Sequence, residues 1–424
     1  MINSLLKTAI VVQVYCPTLF PYDIDEMKGL AKTAGYNIIS IIPQNLDHIN
    51  PKFFLGKGKV ELINTGIDNF FFNHHHNQYV EELLESEEFD ENGNPFEEYE
   101  NKEDNIEFDF PETIHKRKDI TIIFNNRLGN MHRLNLTKIW DLKVIDRDEL
   151  VLEIFERHAQ THESKLQIEL ARLNLETNII KKELGQHLEE KQGRDFKGKG
   201  RKGWEPKMQA YRGRKKKIRD ELKVISKRRN LRRKGRSKFF NVGLIGYTNA
   251  GKSTILNQLA KSRFETAQQE FTTITPVSRK VVFPSFKENG KWDGQEVIIT
   301  DSVGFIMDMS PALINAFLST LEEFQFSDLL LLIVDISEPK FEAILDKIRT
   351  TFTIMAQILV MEIPRVLVLN KIDELSEEFL QKRVEKIREI YPEIPNVSIS
   401  ALDKTGFEKI SEIIIAFKQQ KKYH

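Results

Sequence analysis

Gly246-Tyr247-Thr248-Asn249-Ala250-Gly251-Lys252-Ser253 stands between an apolar run, Val242 to Ile245, and a helical pattern that starts near Ser253. In that strand-loop-helix setting the eight positions match a complete phosphate-binding loop. The glycines let backbone amides converge on a β-phosphate, and the helix N-terminus adds positive potential. Lys252 is placed to reach the β and γ oxygens, and the Ser253 hydroxyl can ligate Mg²⁺. Gly246 through Ser253, with Thr254 next in the chain, are therefore the candidate phosphate-binding residues. A chance glycine turn does not account for a lysine and a serine so placed.

The loop opens a region in which short apolar runs alternate with amphipathic helical patterns, as in a mostly parallel sheet covered on both faces. The runs are Val242 to Ile245, Val297 to Ile299, Leu329 to Val334 and Val366 to Leu369. Asn370-Lys371-Ile372-Asp373 follows the last of these, at a strand's carboxyl end, where open α/β sheets bind ligands. A carboxylate at Asp373 can accept both the N1 and N2 protons of guanine. Adenine offers no such donor pair, so the base selected is guanine. Asn370 can bond the base N7 and hold the phosphate loop, and the aliphatic stem of Lys371 can cover the ring. Ser400-Ala401 is placed to give a backbone amide to the guanine oxygen. Asp301-Ser302-Val303-Gly304 follows the strand Val297 to Ile299, so Asp301 can orient Mg²⁺ through water and the Gly304 amide can meet the γ-phosphate. Between these motifs Thr273 is chosen for the second hydroxyl on Mg²⁺, with Thr272 as the alternative. Lys252, Thr273 and Gly304 are the residues assigned to catalysis. Where many proteins of this kind carry a water-orienting glutamine, the residue after Gly304 is Phe305.

The 424 residues, 40% hydrophobic and 30% charged, suggest two or three domains and exclude both a single small module and a wholly disordered chain. The one cysteine, Cys16, excludes an intrachain disulfide and points to a reducing compartment, the cytoplasm. No apolar stretch is long enough for a membrane span. Sixty-three basic residues balance sixty-three acidic ones, yet the two signs are segregated. From Glu81 to Glu112, fifteen residues are Asp or Glu and one, Lys102, is basic, the composition of a disordered insertion. From Lys191 to Lys238, twenty-two are Lys or Arg, against Asp195, Glu205, Asp220 and Glu221. Much of that run lies on a predicted helix, where like charges repel unless a polyanion neutralises them, so RNA binding is expected.

Upstream, Ala9 to Tyr15, Ile38 to Ile42 and Ile120 to Phe124 read as strands of a small α/β domain, with a helical segment from Asp25 to Ala34. Gly56-Lys57-Gly58-Lys59 is a glycine turn entering a helix and a weak candidate for holding a phosphate. His74-His75-His76 reads as a polar loop, because adjacent histidines do not share a helix face at ligand spacing. Leu166, Leu170, Leu173, Ile180 and Leu184, with Thr177 in a polar slot, form one seam. Tyr211, Ile218, Leu222 and Ile225 continue it after Gly198 to Gly203, which should break the helix. An antiparallel hairpin of two long helices is the simplest packing.

Several segments resemble the HflX family. They are Asp301-Ser302-Val303-Gly304-Phe305-Ile306, Phe271-Thr272-Thr273-Ile274-Thr275-Pro276, Val144-Ile145-Asp146-Arg147, Lys165-Leu166-Gln167-Ile168-Glu169-Leu170-Ala171 and Gly56-Lys57-Gly58-Lys59-Val60-Glu61. The resemblance implies an α/β chain in three parts: an N-terminal α/β subdomain at 1–146 with an acidic insertion at about 73–115, a basic helical hairpin at 147–238, and a P-loop GTPase domain at 239–424. It implies a monomer that hydrolyses GTP with Mg²⁺ and partners the large ribosomal subunit and its RNA, splitting or rescuing stalled ribosomes. The alternatives are a factor in large-subunit assembly, or an RNA-binding protein for which nucleotide is a structural ligand. The chain departs from the family where Gly203-Trp204-Glu205-Pro206-Lys207 and Tyr211-Arg212 replace a glycine-rich loop between the long helices.

Overall fold

The computed structural model describes residues 7–71, 108, 114, 116–159, 161–189, 201–236, 239–260, 277–284, 294–301, 304–306, 313 and 321–421. Nearly all of the acidic stretch, His74-His75-His76, Thr272, Thr273, Ser302 and Val303 lie outside the described residues. The chain divides into two compact units, Met1–Ile154 with Asn174–Tyr211 and Phe155–Leu173 with Arg212–His424.

In the first unit β1 (Lys7–Tyr15), β2 (Tyr36–Asn45), β3 (Ile120–Phe124) and β4 (Lys143–Ile145) form a four-stranded sheet of order β2-β1-β3-β4, parallel throughout. Thr8 through Val14 are all buried, as expected for a strand covered on both faces rather than one alternating between core and water. The helices α1 (Ile24–Thr33), α2 (Lys57–Phe71), α3 (Asn130–Trp140) and α4 (Arg147–His158) connect or follow the strands.

Buried polar residues gather at the carboxyl ends of β1 and β3. Asn126 pairs with Val14 twice, accepting from its amide at 2.8 Å and donating to its carbonyl at 3.0 Å. The Arg147 guanidinium is buried against Glu26, donates to Asn125 Oδ1 at 2.8 Å and lies 4.8 Å from the centre of the Tyr22 ring. Asp146 accepts from the Glu149 amide at 3.0 Å, which caps α4, and from Arg133 at 2.8 Å. Val144-Ile145-Asp146-Arg147 thus binds strands to helices. The Gly56 amide donates to Gln44 Oε1 at 3.2 Å, so the Gly56–Lys59 turn is held by its own neighbours.

Two long helices follow, α5 (His162–Glu189) and α6 (Arg201–Arg236). Their antiparallel register is marked by pairs seven residues apart on α5. In the second unit His162 meets Glu221 at 3.3 Å and Glu169 meets Arg214 at 2.6 Å. In the first, Glu176 bonds Tyr211 and raises its pKa, the hydrogen bond being the main cause. The expected seam is present in Leu166, Thr177 and Ile218, all buried. Two expectations are corrected. The first helix ends at Glu189 and the second begins at Arg201, so the two are separate as expected, but Gly203 lies inside α6, in its first turn, rather than before it. Pro206 also sits inside it. In addition, Ser164, Gln167, Ile168 and Ala171 are buried on a second face of α5, outside the single seam expected.

The second unit carries a six-stranded sheet of β5 (Phe240–Gly246), β6 (Val277–Phe283), β7 (Gln295–Asp301), β8 (Leu329–Asp335), β9 (Arg365–Asn370) and β10 (Asn396–Ser398), in the order β10-β9-β8-β5-β7-β6. All neighbours are parallel except β6, an antiparallel edge strand on β7. With the helices α7 (Lys252–Leu259), α8 (Phe341–Gln357), α9 (Glu377–Ile390) and α10 (Phe407–Lys421), this is the expected mostly parallel α/β fold. Chain order reverses on either side of β5, which places a crevice at its carboxyl end.

Candidate nucleotide site

At that crevice the sequence motifs meet. Gly246 ends β5, Asp301 ends β7, Asp335 ends β8 and Asn370 ends β9, while Ser400 and Ala401 follow β10. The loop Tyr247-Thr248-Asn249-Ala250-Gly251 turns into α7 through two left-handed residues, Asn249 at φ 58° and Gly251 at φ 95°. A side chain at Gly251 is excluded twice. The backbone sign disfavours it, and a Cβ there would stand 2.2 Å from Asn370 Nδ2.

The loop is tied to the segment after β7. Thr248 N–H donates to Phe305 O at 2.8 Å, and Phe305 N–H donates to Gly246 O at 3.1 Å. Phe305 is fully buried, so its ring serves packing and leaves no polar group for a water. Gly304, beside it, approaches closely: a Cβ would lie 2.8 Å from Thr248 Cα and 2.9 Å from Lys252 Nζ. Glycine at this position lets the segment after β7 lie directly against the loop, with no room for a side chain between them.

Asn370 joins two elements. Its Nδ2 donates to Ala250 O at 2.8 Å and its Oδ1 accepts from the Ala401 amide at 2.9 Å. The Ala401 amide assigned to the guanine oxygen therefore already has a protein acceptor, which a base oxygen would share. Ser400 is fully buried, and its amide donates to Thr405 O at 3.0 Å. Replacing Asn370 by alanine strands a loop carbonyl and an amide in the interior. The variant is expected to lose about 2–3 kcal/mol of stability and to bind nucleotide more weakly, measured by thermal unfolding and calorimetry.

Lys371 takes the left-handed conformation, φ 67°, and pairs with Asp335, whose Oδ1 also accepts from Ser337. Asp373 follows on the short 3₁₀ turn Ile372–Glu374, exposed to solvent and free to meet a base edge. Two contributors were missed in the sequence, Asp335 and Lys347. Lys347, on α8, pairs with Glu338 and lies 5.1 Å from the centre of the Tyr247 ring. Asp335 could have been found, since it ends a buried strand facing the crevice; nothing local marks Lys347.

Ser253 Oγ donates to Asp301 Oδ2 at 2.6 Å. A hydroxyl and a carboxylate so close make a hard oxygen donor set that suits Mg²⁺. Lys252 is buried and donates to Tyr247 O at 2.6 Å. Burial lowers its pKa from 10.5 to about 8, with Asp301 opposing the shift. Phosphate oxygens beside the ammonium would favour the charged form again. Below pH 8 the lysine is charged with or without ligand and binding moves no proton. Above it, the ligand-free form sheds the proton and binding must restore it. GDP affinity is accordingly expected to fall as pH rises through 8 to 9, with proton uptake detected as a buffer-dependent calorimetric enthalpy. A flat profile over that range would sink the assignment.

Three family models match in chain order: one described as GTP-binding GTPase N-terminal at residues 22–74 and 107–156, one as GTP-binding GTPase Middle Region at 158–236, and one as 50S ribosome-binding GTPase at 241–371. GTPase HflX of Caldanaerobacter subterraneus is 31% identical over 395 residues, 92% of this chain and 76% of that protein. GTPase HflX of Thermococcus kodakarensis is 33% identical over 368 residues, covering 86% and 70%. A crystal structure of the SsGBP and GDP complex matches 98% of this chain and 99% of that one, with a TM-score of 0.50 at 23% identity, a likeness of fold. With the site at the switch point of its sheet and identity above 30% over most of both chains, this chain belongs to the HflX family of GTPases.

Proposed function

We propose that the chain is a ribosome-associated GTPase that binds the large subunit through its basic hairpin and splits or rescues stalled ribosomes. What carries the reading is the convergence of five strand ends on one crevice, in a chain whose preceding helix is strongly basic. The description of the family model over residues 241–371, a 50S ribosome-binding GTPase, supports it. The three-part division at 146 and 238 is supported by the ranges of the three family models. The cytoplasm is the proposed location; among the described residues no helix is long and apolar enough to cross a membrane.

In this reading the amides of Gly246 through Ser253 and the Lys252 ammonium hold the phosphates, with Thr254 in the first turn of α7. Asp373 reads the guanine edge, Asn370 keeps the loop and the Ser400-Ala401 turn in place, and Lys371 lies along the ring. Ser253 and Thr273 would hold Mg²⁺ and Asp301 would orient it through water; when bound, the ion supplies positive charge to the phosphates. The Gly304 amide meets the γ-phosphate. Phe305 presents no hydrogen-bonding group to an attacking water, so hydrolysis by the chain alone is slow and the subunit orders the loops around Thr273 and Asp301. Ordered by GTP, the chain binds; after hydrolysis it leaves.

Co-sedimentation with separated subunits and intact ribosomes under GTP, GDP and a non-hydrolysable analogue tests this. Retention on large subunits is expected with the analogue and loss with GDP, together with a rise in turnover when subunits are added. Fast turnover by the isolated chain, unaltered by subunits, would refute it. Accumulation of immature large subunits on depletion, with splitting unaffected, would favour an assembly role.

A further inference from the structure

The basic helix α6 does not present its charge evenly. Arg212, Lys216, Arg219, Lys223 and Lys227 follow one another at steps of four, three, four and four residues, and all five are exposed. At roughly 100° per residue those steps keep the five side chains within about an 80° arc, and at 1.5 Å rise per residue the stripe is roughly 22 Å long. Ile218, fully buried, faces away from it, with Tyr211, Leu222 and Ile225 on the same inner side.

Pairing separates the stripe from Arg214 on the opposite face of the helix. Arg214, on the inner flank, is held by both oxygens of Glu169 at 2.6 Å, which keeps its charge within the hairpin. Among the described residues Arg212, Lys216, Arg219 and Lys227 make no ion pair, and Lys223 has only Asp220 at 3.8 Å. A row of unneutralised cations repels itself and contributes nothing to folding, so its spacing needs an external reason. Beside the row, Gly213, Lys216, Lys217, Asp220, Glu221 and Val224 line an open groove of about 470 Å³. Nothing lies within 4 Å of where a Gly213 Cβ would be, so a ribose can come close to the helix there. Asp220 and Glu221 on the groove wall disfavour a phosphate, and Asp220 can accept from a 2′-hydroxyl, which suits RNA better than DNA.

We infer that this stripe lies along consecutive phosphates of a single strand of structured RNA, with the riboses turned toward the Gly213 groove. The inference rests on the RNA-binding reading of the hairpin and adds which face of α6 makes the contact. The step between neighbouring cations, roughly 4.5–6 Å along the axis, is of the order of the separation between phosphates on one strand.

The test compares two double variants of the full chain with equal charge loss on the same helix, R212Q/R219Q on the stripe and K207Q/K215Q off both the stripe and the groove. Binding of a fluorescein-labelled RNA hairpin is followed by anisotropy across a KCl series, with the DNA of the same sequence in parallel. Each phosphate contact contributes about 0.7–0.9 to the salt slope. The stripe variant is expected to lower the slope by about 1.5–2 and to weaken binding several-fold, and the off-stripe variant to lower it by less than about 0.5. Equal effects would overturn the stripe while leaving RNA binding by the hairpin intact. No effect of either would remove the hairpin as the RNA-binding part and the stripe with it. RNA and DNA bound alike by the unaltered chain would overturn the groove's role with ribose. Unchanged helical circular dichroism and thermal midpoint exclude unfolding as the cause.

Discussion

Asp373→Asn is expected to lower affinity for GDP and GTP by about a hundred- to a thousandfold while leaving the thermal midpoint of the nucleotide-free protein within a degree or two. The carboxylate offers two acceptors to the paired N1 and N2 protons of guanine, a charge-assisted contact in two-point geometry. Asparagine keeps one acceptor and turns an amide N–H₂ toward a donor, so one attraction is lost and a repulsion replaces it. The fold is spared because Asp373 is exposed and its turn is positioned by others: Lys371 by Asp335, and the Ile372 amide by Ile399 O at 3.3 Å. Xanthine carries a carbonyl where guanine carries the amine, so the variant should gain affinity for xanthosine diphosphate as it loses GDP. Calorimetry with guanosine, adenosine and xanthosine diphosphates checks all three. Full retention of GDP affinity would mean that the base is read elsewhere.

Lys252→Met should act with opposite signs on function and stability. GTP hydrolysis is expected to fall at least about a hundredfold, because the lost ammonium is the charge nearest the γ-phosphate and no other described side chain replaces it. Stability without nucleotide should rise. A buried ammonium whose pKa drops from 10.5 to about 8 carries a desolvation penalty on the order of 3 kcal/mol at neutral pH. The hydrogen bond to Tyr247 O offsets about 1–2 kcal/mol of that. Methionine occupies nearly the same volume without the charge, so a rise of a few degrees in the thermal midpoint is expected. The gain should shrink as pH rises from 8 to 10.5, where the folded lysine is neutral and the unfolded one still charged. Nucleotide should reverse the comparison, stabilising the unaltered protein and not the variant. A lower midpoint for the nucleotide-free variant would mean that the buried ammonium is better solvated than its surroundings allow.

Much of this site is legible in the chain because its chemistry is local. A loop that must bring amides to a phosphate needs glycine at fixed offsets from Lys252 and Ser253, and a base-reading Asp373 needs a buried strand immediately before it. Both constraints lie within eight or nine residues, and the strands found by apolar runs correspond to β5, β7, β8 and β9. The edge strand β6 is exposed at every other position over part of its length and escaped notice for that reason. The partners from afar also escaped: Asp335 under Lys371, Lys347 against Tyr247, and the Ala401 amide on Asn370 are separated by 31 residues or more along the chain. The second buried face of α5 was also missed, since it joins Ile168 and Ala171 to the polar Ser164 and Gln167, whose burial no hydropathy pattern marks.

By itself, then, the order of residues determined the fold class and the sign of charge on the long helices and marked the loop and the side chain proposed for phosphate and guanine, because each follows from residue type at short spacing. Only the tertiary structure decided that Asn370 clasps two loops at once, that Phe305 is pinned in the core, that Lys252 sits where its proton is loosely held, and which cations of α6 are neutralised. Those outcomes depend on burial and on neighbours brought in by the sheet, and distance through space is not written in distance along the chain.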